Sequence, residues 1–334
     1  MRREREARAR QPVLLVLRAL GLGDLLTAVP SLRALAAASR GHRVVLAAPR
    51  ALAPLAMHTG AVDAVVDAAP LAPLRIGPLR PDVAVNLHGR GPQSHRMLLA
   101  TRPRRLIAFS HPDVPESAGG ATWRADEHEV ARWCRLLAGA GIASDPADLE
   151  LAPPAVRPPQ DARGATLLHP GAKDAARRWP AERWAAVARA ELRAGRSVLL
   201  TGDQREAELA HDVARRAGLP ARAVVAGRTD LLGLAAAVAD AERVVCGDTG
   251  VAHLATALRT PSVVLFGPVA PACWGPPADR PWHRALWKGR VGDPHATAPD
   301  AGLLEIGVDE VVAALADLPE KRASLRAVRA GSGA

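Results

Sequence analysis

The sequence predicts an α/β protein of two domains, each built on a doubly wound parallel sheet. Short apolar segments alternate with longer segments rich in alanine and leucine along the chain. Such an alternation of strand and helix favours parallel strands joined by right-handed crossovers. A length of 334 residues fits two domains of ordinary size. The proline-rich segment Pro153–Pro159 interrupts the alternation, and because proline blocks helix and removes a backbone donor, we interpret it as a linker.

In the first domain, continuous apolar runs predict strands that are covered on both faces, as in parallel sheets. The predicted strands are Val13–Arg18, Val44–Ala47, Asp82–Leu87 and Arg105–Phe109. The predicted helices are Leu25–Ser39, Arg50–His58, Gln93–Ala100 and Asp126–Ala140. The last helix is the clearest, because apolar residues recur at i, i+3, i+4 and i+7 from Val130.

The same pattern restarts after the linker. The predicted strands are Thr166–His169, Ser197–Thr201, Ala223–Ala226, Arg243–Cys246 and Ser262–Phe266. The predicted helices are Ala181–Ala194, Gln204–Ala217, Asp230–Ala239, Val251–Leu258 and Val308–Leu318, with a loop at Gly267–Pro281. We therefore divide the chain into a first domain at 1–152, a linker at 153–163, a second domain at 164–319 and a flexible tail at 320–334. In sheets of this kind, ligands bind outside the carboxyl ends of the strands, and we expect a cleft between the domains.

Composition excludes several classes of protein. The net charge of +10 comes from 41 Arg and only 3 Lys, a bias typical of GC-rich coding, so we attribute most of the charge to composition. Tyrosine is absent and phenylalanine occurs twice, which argues against a nucleic-acid partner that stacks bases. Three widely spaced cysteines give neither a disulfide framework nor a C-x-x-C metal site. We predict no metal and no cofactor.

The apolar runs also bear on location. None of them approaches the roughly 20 residues that a membrane-spanning helix needs. The run Val13–Leu17 behind the charged N-terminus is too short for the core of a signal peptide. We predict a cytoplasmic protein, either free or peripherally associated with the inner face of the membrane.

The loop after the first predicted strand, ALGLGDLLTAVP, contains Gly21-x-Gly23 followed by Asp24. As a dinucleotide fingerprint it is incomplete, because its third glycine position is Leu26. Asp24 has two interpretations. It is either the N-cap of the following helix or a general base at the carboxyl end of the strand.

The loop HPGAKDAARRWP, which follows the first strand of the second domain, carries Lys173, Arg177 and Arg178. Cations on a loop beside a helix start suit a phosphate clamp, and the alternative is an arginine-rich surface loop. Trp179 in the same segment is interpreted as a packing anchor.

The segment CGDTGVAHL places Asp248, Thr249, Gly250 and His253 where a strand meets a helix. Glycine permits close approach of the backbone, and the helix N-terminus favours an anion. Asp248 would repel a phosphate, so it suits sugar hydroxyls or a helix cap, and a simple capped turn is the alternative. The turn LTGDQRE, with Gly202, is similar and would approach a nucleoside. The chain lacks the P-loop, nucleophile-elbow and H-E-x-x-H motifs.

Taken together, these loops resemble glycosyltransferase family 9, the heptosyltransferase-like enzymes of GT-B fold. The matching segments are GDLLTAVPSLRAL, HPGAKDAARRWPAERWAAVA, LTGDQREAELA and DTGVAHLATALRTPSVVLFGPVAP, spread over residues 13–318. The resemblance implies inverting transfer of a sugar, commonly heptose from an ADP-linked donor, without an essential metal. It also implies a glycan or glycolipid acceptor, such as the lipopolysaccharide inner core.

The resemblance assigns roles by position. Asp24 matches the carboxylate thought to deprotonate the acceptor hydroxyl. Arg177 stands where the family usually has lysine, so charge is kept while the contact geometry changes. The residues Asp248, Thr249, Gly250 and His253 match the D-T-G-x-x-H motif that lines the donor's diphosphate and sugar.

Other readings of the sequence stay open. A GT-B sugar-nucleotide epimerase would turn over the donor without an acceptor. A non-catalytic nucleotide-sugar binding protein would keep the second-domain loops without needing Asp24. A dehydrogenase is disfavoured by the incomplete glycine pattern.

Overall fold

The structure is a computed structural model that describes residues 11–321. The chain divides into two compact units, with the division between Leu149 and Glu150. The charged segment before position 11, and residues 322–334 of the flexible tail predicted at 320–334, lie outside the described residues. The predicted linker at 153–163 belongs to the second unit.

The first unit contains a five-stranded, fully parallel sheet in the order β3-β2-β1-β4-β5. Its strands are β1 Val13–Leu17, β2 Arg43–Ala48, β3 Ala64–Asp67, β4 Pro81–Asn86 and β5 Arg105–Ile107. Its helices are α1 Leu22–Thr27, α2 Val29–Ala38, α3 Ala53–His58, α4 Gln93–Leu99 and α5 Glu129–Gly139. The central strand β1 is buried along its whole length, as expected for a run of apolar residues in a sheet covered on both faces.

Two local predictions for the first unit were wrong. The single helix expected over Leu25–Ser39 is two helices that meet at Ala28, and Pro30 lies in the first turn of α2. Proline has no N–H to continue a preceding helix, so it suits the first turn of a new one. Strand β3 was not predicted, because it is only partly buried and its short apolar run ends in Asp67.

The second unit also contains a five-stranded parallel sheet, in the order β10-β9-β8-β6-β7. Its strands are β6 Thr166–His169, β7 Val198–Leu200, β8 Arg243–Gly247, β9 Ser262–Leu265 and β10 His283–Leu286. Its helices are α6 Ala181–Arg193, α7 Ala207–Ala217, α8 Leu231–Asp240, α9 Gly250–Ala257, α10 Pro271–Trp274, α11 Ala301–Glu305 and α12 Val308–Ala316. Its core packs the sheet against α6, α7 and α12.

The second unit departs from prediction at its edges. The strand expected at Ala223–Ala226 is a 3-10 turn at Ala221–Ala223, followed by a single parallel bridge between Leu200 and Val224. Strand β10 and helix α11 were not predicted, and the short helix α10 lies within the predicted loop. In both units the predicted alternation is confirmed, and both sheets are parallel. No helix within residues 11–321 is long and apolar enough to cross a membrane.

Candidate functional site

Asp24 lies at the third position of α1, directly beyond the carboxyl end of β1. Its Oδ2 accepts a hydrogen bond of 3.0 Å from the backbone N–H of Gly21, the N-cap residue. The N-cap interpretation is therefore corrected: Asp24 stabilises the helix start by bonding back to the cap, not as the cap itself. Its side chain is 24% exposed, so the carboxylate also reaches the surface.

Arg18 is a fully buried cation beside Asp24. Its Nη2 lies 3.2 Å from Asp24 Oδ1, and its Nε donates 2.9 Å to the backbone carbonyl of the same residue. It also donates to the Leu87 carbonyl and to Thr27 Oγ1. The sequence analysis places Arg18 at the end of the predicted strand Val13–Arg18 and gives it no functional role. A single charge closing an apolar run was the signal that it has a partner.

Glu129, at the start of α5, supplies the counter-charge. Its Oε1 accepts 2.8 Å bonds from Arg18 Nη2 and from the Trp133 indole, and its Oε2 accepts from Arg132. Burial acts to raise the pKa of this carboxyl, but the charges and hydrogen bonds of Arg18 and Arg132 outweigh it, and the pKa is lowered. The Trp133 ring lies 4.8 Å from the Arg18 guanidinium.

His88 follows β4 in the same part of the sheet edge, next to Leu87, which binds Arg18. Burial and the positive charge of Arg18 lower the pKa of His88 to about 4, so the imidazole is neutral near pH 7. Its Nδ1 is buried and has no hydrogen-bond partner among the described residues. Sequence reasoning missed His88, because one histidine after a strand is not distinctive.

In the second unit, Arg177 and Asp248 form an ion pair at the carboxyl end of β8. Arg177 Nη1 lies 3.4 Å from Asp248 Oδ2, and Asp248 is almost completely buried. Burial raises the pKa of the Asp248 carboxyl, and the charge of Arg177 opposes that rise. Arg177 Nε is buried with no hydrogen-bond partner among the described residues. The predicted clamp residue and the predicted D-T-G motif are thus brought together.

Thr249 is the N-cap residue of α9, and Gly250 is its first residue. The backbone N–H groups of the first turn have no partner within the helix, and they carry the positive end of its dipole. His253 lies one turn further on, with its ring 5.9 Å from that of Trp274 on α10. Gly247 lies close to the Arg177 backbone: a Cβ added at Gly247 would be only 3.2 Å from the Arg177 carbonyl oxygen.

The two other predicted clamp residues lie differently. Arg178 is exposed, and its guanidinium donates to the backbone carbonyls of Ala172 and Lys173. These hydrogen bonds stabilise the loop to which Arg178 belongs. Lys173 is exposed on that loop. Trp179 is buried, donates to the Ile306 carbonyl and packs edge-on against a second tryptophan, which agrees with a packing anchor.

A third group surrounds the turn after β7, where Gly202 lies. An added Cβ at Gly202 would approach Glu206 Cβ to 2.9 Å, so glycine is required by packing. Glu206 Oε2 lies 3.8 Å from His169 Nε2, and His169 Nδ1 lies 3.1 Å from Thr201 Oγ1. Burial lowers the pKa of His169, and the charge of Glu206 opposes this. Neither His169 nor Glu206 was predicted as a site residue. In residues 11–321, no group of three or more His, Cys, Asp or Glu residues is placed to hold a metal ion.

The chain is similar in sequence and in fold to known glycosyltransferases. The sequence model of glycosyltransferase family 9 (heptosyltransferase) matches residues 122–288, which is half of the chain. A lipooligosaccharide heptosyltransferase 2 of Haemophilus ducreyi is 32% identical over 119 residues, covering 33% of this chain and 33% of that protein. A lipopolysaccharide heptosyltransferase 1 of Pseudomonas aeruginosa is 41% identical over 98 residues, covering 29% of this chain and 27% of that protein. These alignments span a third or less of the curated relatives.

Solved structures show the fold over nearly the whole chain. A family 9 glycosyltransferase from Veillonella parvula has a TM-score of 0.72 at 18% identity, covering 91% of this chain and 96% of that one. ADP-heptose lps heptosyltransferase II of E. coli gives 0.70 at 20% identity, with 91% and 97% covered. E. coli heptosyltransferase WaaC with ADP gives 0.67 at 17% identity, with 91% and 99% covered. The predicted GT-B fold is confirmed, and the chain belongs to glycosyltransferase family 9, the heptosyltransferase family.

Proposed function

We propose that this protein is an inverting glycosyltransferase. It moves a heptose-like sugar from an ADP-linked donor to a hydroxyl group of a glycolipid acceptor of the lipopolysaccharide type. In this proposal the reaction requires no metal ion. Membership of family 9 supports sugar transfer, and the names of the curated relatives support the acceptor class.

The observation that carries the proposal is the group of hydrogen-bond donors at the carboxyl edge of the second sheet. Arg177, held by the buried Asp248, stands beside the N-terminus of α9, where Thr249 and Gly250 present backbone N–H groups. A departing nucleoside diphosphate gains negative charge, and a preformed array of donors stabilises that charge in the transition state. The unpaired Arg177 Nε is a further donor that the described protein leaves unsatisfied.

The ADP-linked donor is supported by a related structure. WaaC of E. coli, with which this chain shares its fold, was solved with ADP. In our proposal the turn at Gly202 and Glu206 approaches the nucleoside, while His253 and Asp248 face the sugar. In the same proposal Lys173, which is exposed on the loop, adds positive charge near the phosphates.

Asp24 is the proposed general base in the first unit. Direct displacement with inversion needs a base that removes the acceptor proton as the acceptor oxygen attacks the anomeric carbon. The bond from the anomeric carbon to the diphosphate oxygen then breaks, and the nucleoside diphosphate leaves with the electron pair. Asp24 suits this role because its carboxylate is ionisable, held at both oxygens and still exposed to an incoming hydroxyl.

The test is a transfer assay with the whole protein, ADP-heptose, and lipopolysaccharide from a strain that lacks core heptose. We expect release of ADP that depends on the acceptor, and a product heavier by one heptose. The anomeric configuration of the product, read by NMR, checks inversion. UDP- and GDP-linked sugars serve as matched donors, and we expect them to react more slowly. EDTA should leave the rate unchanged.

The same assay separates the alternative functions. An epimerase would convert the donor sugar with no acceptor present, which NMR of the donor alone detects. A nucleotide-sugar binding protein would bind ADP-heptose in calorimetry and show no turnover with any acceptor. Either result would replace the proposal.

A further inference from the structure

Arg18 binds Asp24 and three other residues of the first unit. Its guanidinium bonds the main chain of Asp24, the side chain of Thr27 in α1, the carbonyl of Leu87 after β4, and the carboxylate of Glu129 at the start of α5. These contacts use all three of its nitrogen atoms. A planar group held by so many partners has little freedom to move.

The contacts to Asp24 act on both its backbone and its side chain. Arg18 Nε holds the carbonyl oxygen at 2.9 Å, and Nη2 faces carboxylate Oδ1 at 3.2 Å. On the opposite side, Oδ2 is held at 3.0 Å by the N–H of Gly21. The carboxylate is therefore fixed at both oxygens, which sets the direction in which its free lone pairs point.

Glu129 takes the closer share of the Arg18 charge. Its Oε1 lies 2.8 Å from Arg18 Nη2, against 3.2 Å for Asp24 Oδ1. If Asp24 were the only counter-charge of the buried Arg18, the two groups would form a tight ion pair. Because Glu129 also pairs with Arg18, the guanidinium orients the Asp24 carboxylate while only part of its positive charge is balanced by Asp24.

We propose that Arg18 is a positioning residue for the reaction: it aims the Asp24 carboxylate at the acceptor hydroxyl, with Glu129 as its counter-charge. The proposal rests on the proposed function, in which Asp24 is the base. The Arg18 side chain is fully buried, so in this proposal it does not contact the substrate directly. Its effect on the rate must therefore pass through Asp24.

A double-mutant cycle tests this route. Arg18→Lys keeps the charge but loses the fork that reaches Asp24 at two points. We expect it to lower kcat about 10–100-fold, the size of effect that follows a misplaced catalytic group, with the KM for the donor within about twofold. Introduced into Asp24→Asn, the same change should lower the residual rate by less than about twofold, because there is no base left to aim.

Arg132→Lys is the matched control. Arg132 is also buried and also bonds Glu129, but its described bonds do not reach Asp24. We expect kcat within about threefold of wild type. Arg18→Gln is the second variant if Arg18→Lys unfolds, because Glu129 then keeps the charge of Arg132 as its partner. It should reproduce the kcat loss.

The outcomes separate the two proposals. If Asp24→Asn is slow but Arg18→Lys lowers its rate by the same factor as in wild type, Arg18 acts elsewhere and this inference is overturned. The same conclusion follows if Arg132→Lys is as slow as Arg18→Lys, or if Arg18→Lys keeps the wild-type kcat. If Asp24→Asn is itself as fast as wild type, the role of Asp24 falls, and the inference falls with it.

Discussion

Replacing Arg177 by alanine would leave the buried carboxylate of Asp248 without its described counter-charge. The two groups are 3.4 Å apart, which corresponds to an attraction of about 5 kcal/mol at an effective dielectric of about 20. Because the Arg177 side chain is 27% exposed, solvent screens part of this. We expect a net loss of about 2 kcal/mol, or a fall in Tm of about 4–8 °C for a domain of this size.

The loss should depend on pH. Burial raises the pKa of Asp248 above its usual value, so the folded state disfavours the ionised carboxylate. Without Arg177 that pKa rises further. The destabilisation should therefore be fully present above the folded-state pKa of Asp248 in the variant. It should disappear below the folded-state pKa of Asp248 in the wild type, where this carboxyl is neutral in both proteins.

Thermal unfolding of Arg177→Ala between pH 4 and 8 measures this effect. Arg178→Ala is the control, because its exposed guanidinium bonds only backbone carbonyls among the described contacts. In the Asp248→Asn background, Arg177→Ala should cost about 1 kcal/mol less. Equal losses for Arg177→Ala and Arg178→Ala at every pH would refute the pairing argument.

Three further predictions concern the second unit. Burial and the nearby charge of Arg280 lower the pKa of His283 to about 3. The free energy of unfolding should therefore fall by up to about 1.4 kcal/mol per pH unit as the pH falls from 6.5 toward 3. His283→Gln should reduce this dependence on pH in acid unfolding. An added Cβ at Gly171 would lie 2.2 Å from Glu206 Cδ and would displace that side chain. Because Glu206 belongs to the proposed nucleoside site, Gly171→Ala should weaken ADP binding in calorimetry. An unchanged affinity would place Glu206 outside the nucleotide site. Trp179→Phe removes the hydrogen bond from the indole N–H to the Ile306 carbonyl and should lower the free energy of unfolding, measured by denaturant titration, by about 1 kcal/mol. An unchanged free energy of unfolding would mean that this hydrogen bond does not stabilise the fold.

The sequence predicted both parallel sheets, because their central strands are short, continuous apolar runs that alternate with longer helical segments. It did not predict β3, β10 and α11, which are only partly buried. Such elements are fixed by neighbours in space, and local periodicity does not show them. The break at Ala28 needed the rule that proline belongs in the first turn of a helix.

Some residues of the candidate sites could also be predicted from local sequence, and others could not. Asp24, Arg177 and Asp248 were identified from loops at strand ends, and the pairing of Arg177 with Asp248 follows from adjacent strands of one sheet. Arg18 and Glu129 are 111 positions apart, and only the fold brings them together. No local sequence pattern predicts a contact between residues so far apart in the sequence.

The role of Asp24 as the base is the central claim, and Asp24→Asn tests it most directly. The asparagine oxygen can still accept the Gly21 N–H, so the helix start is kept while proton acceptance is lost. The measurement is kcat for heptose transfer, with ADP-heptose affinity determined by calorimetry on the same sample. We predict a kcat lowered about 10²–10⁴-fold with affinity within about twofold of wild type, and a kcat near wild type would contradict the account.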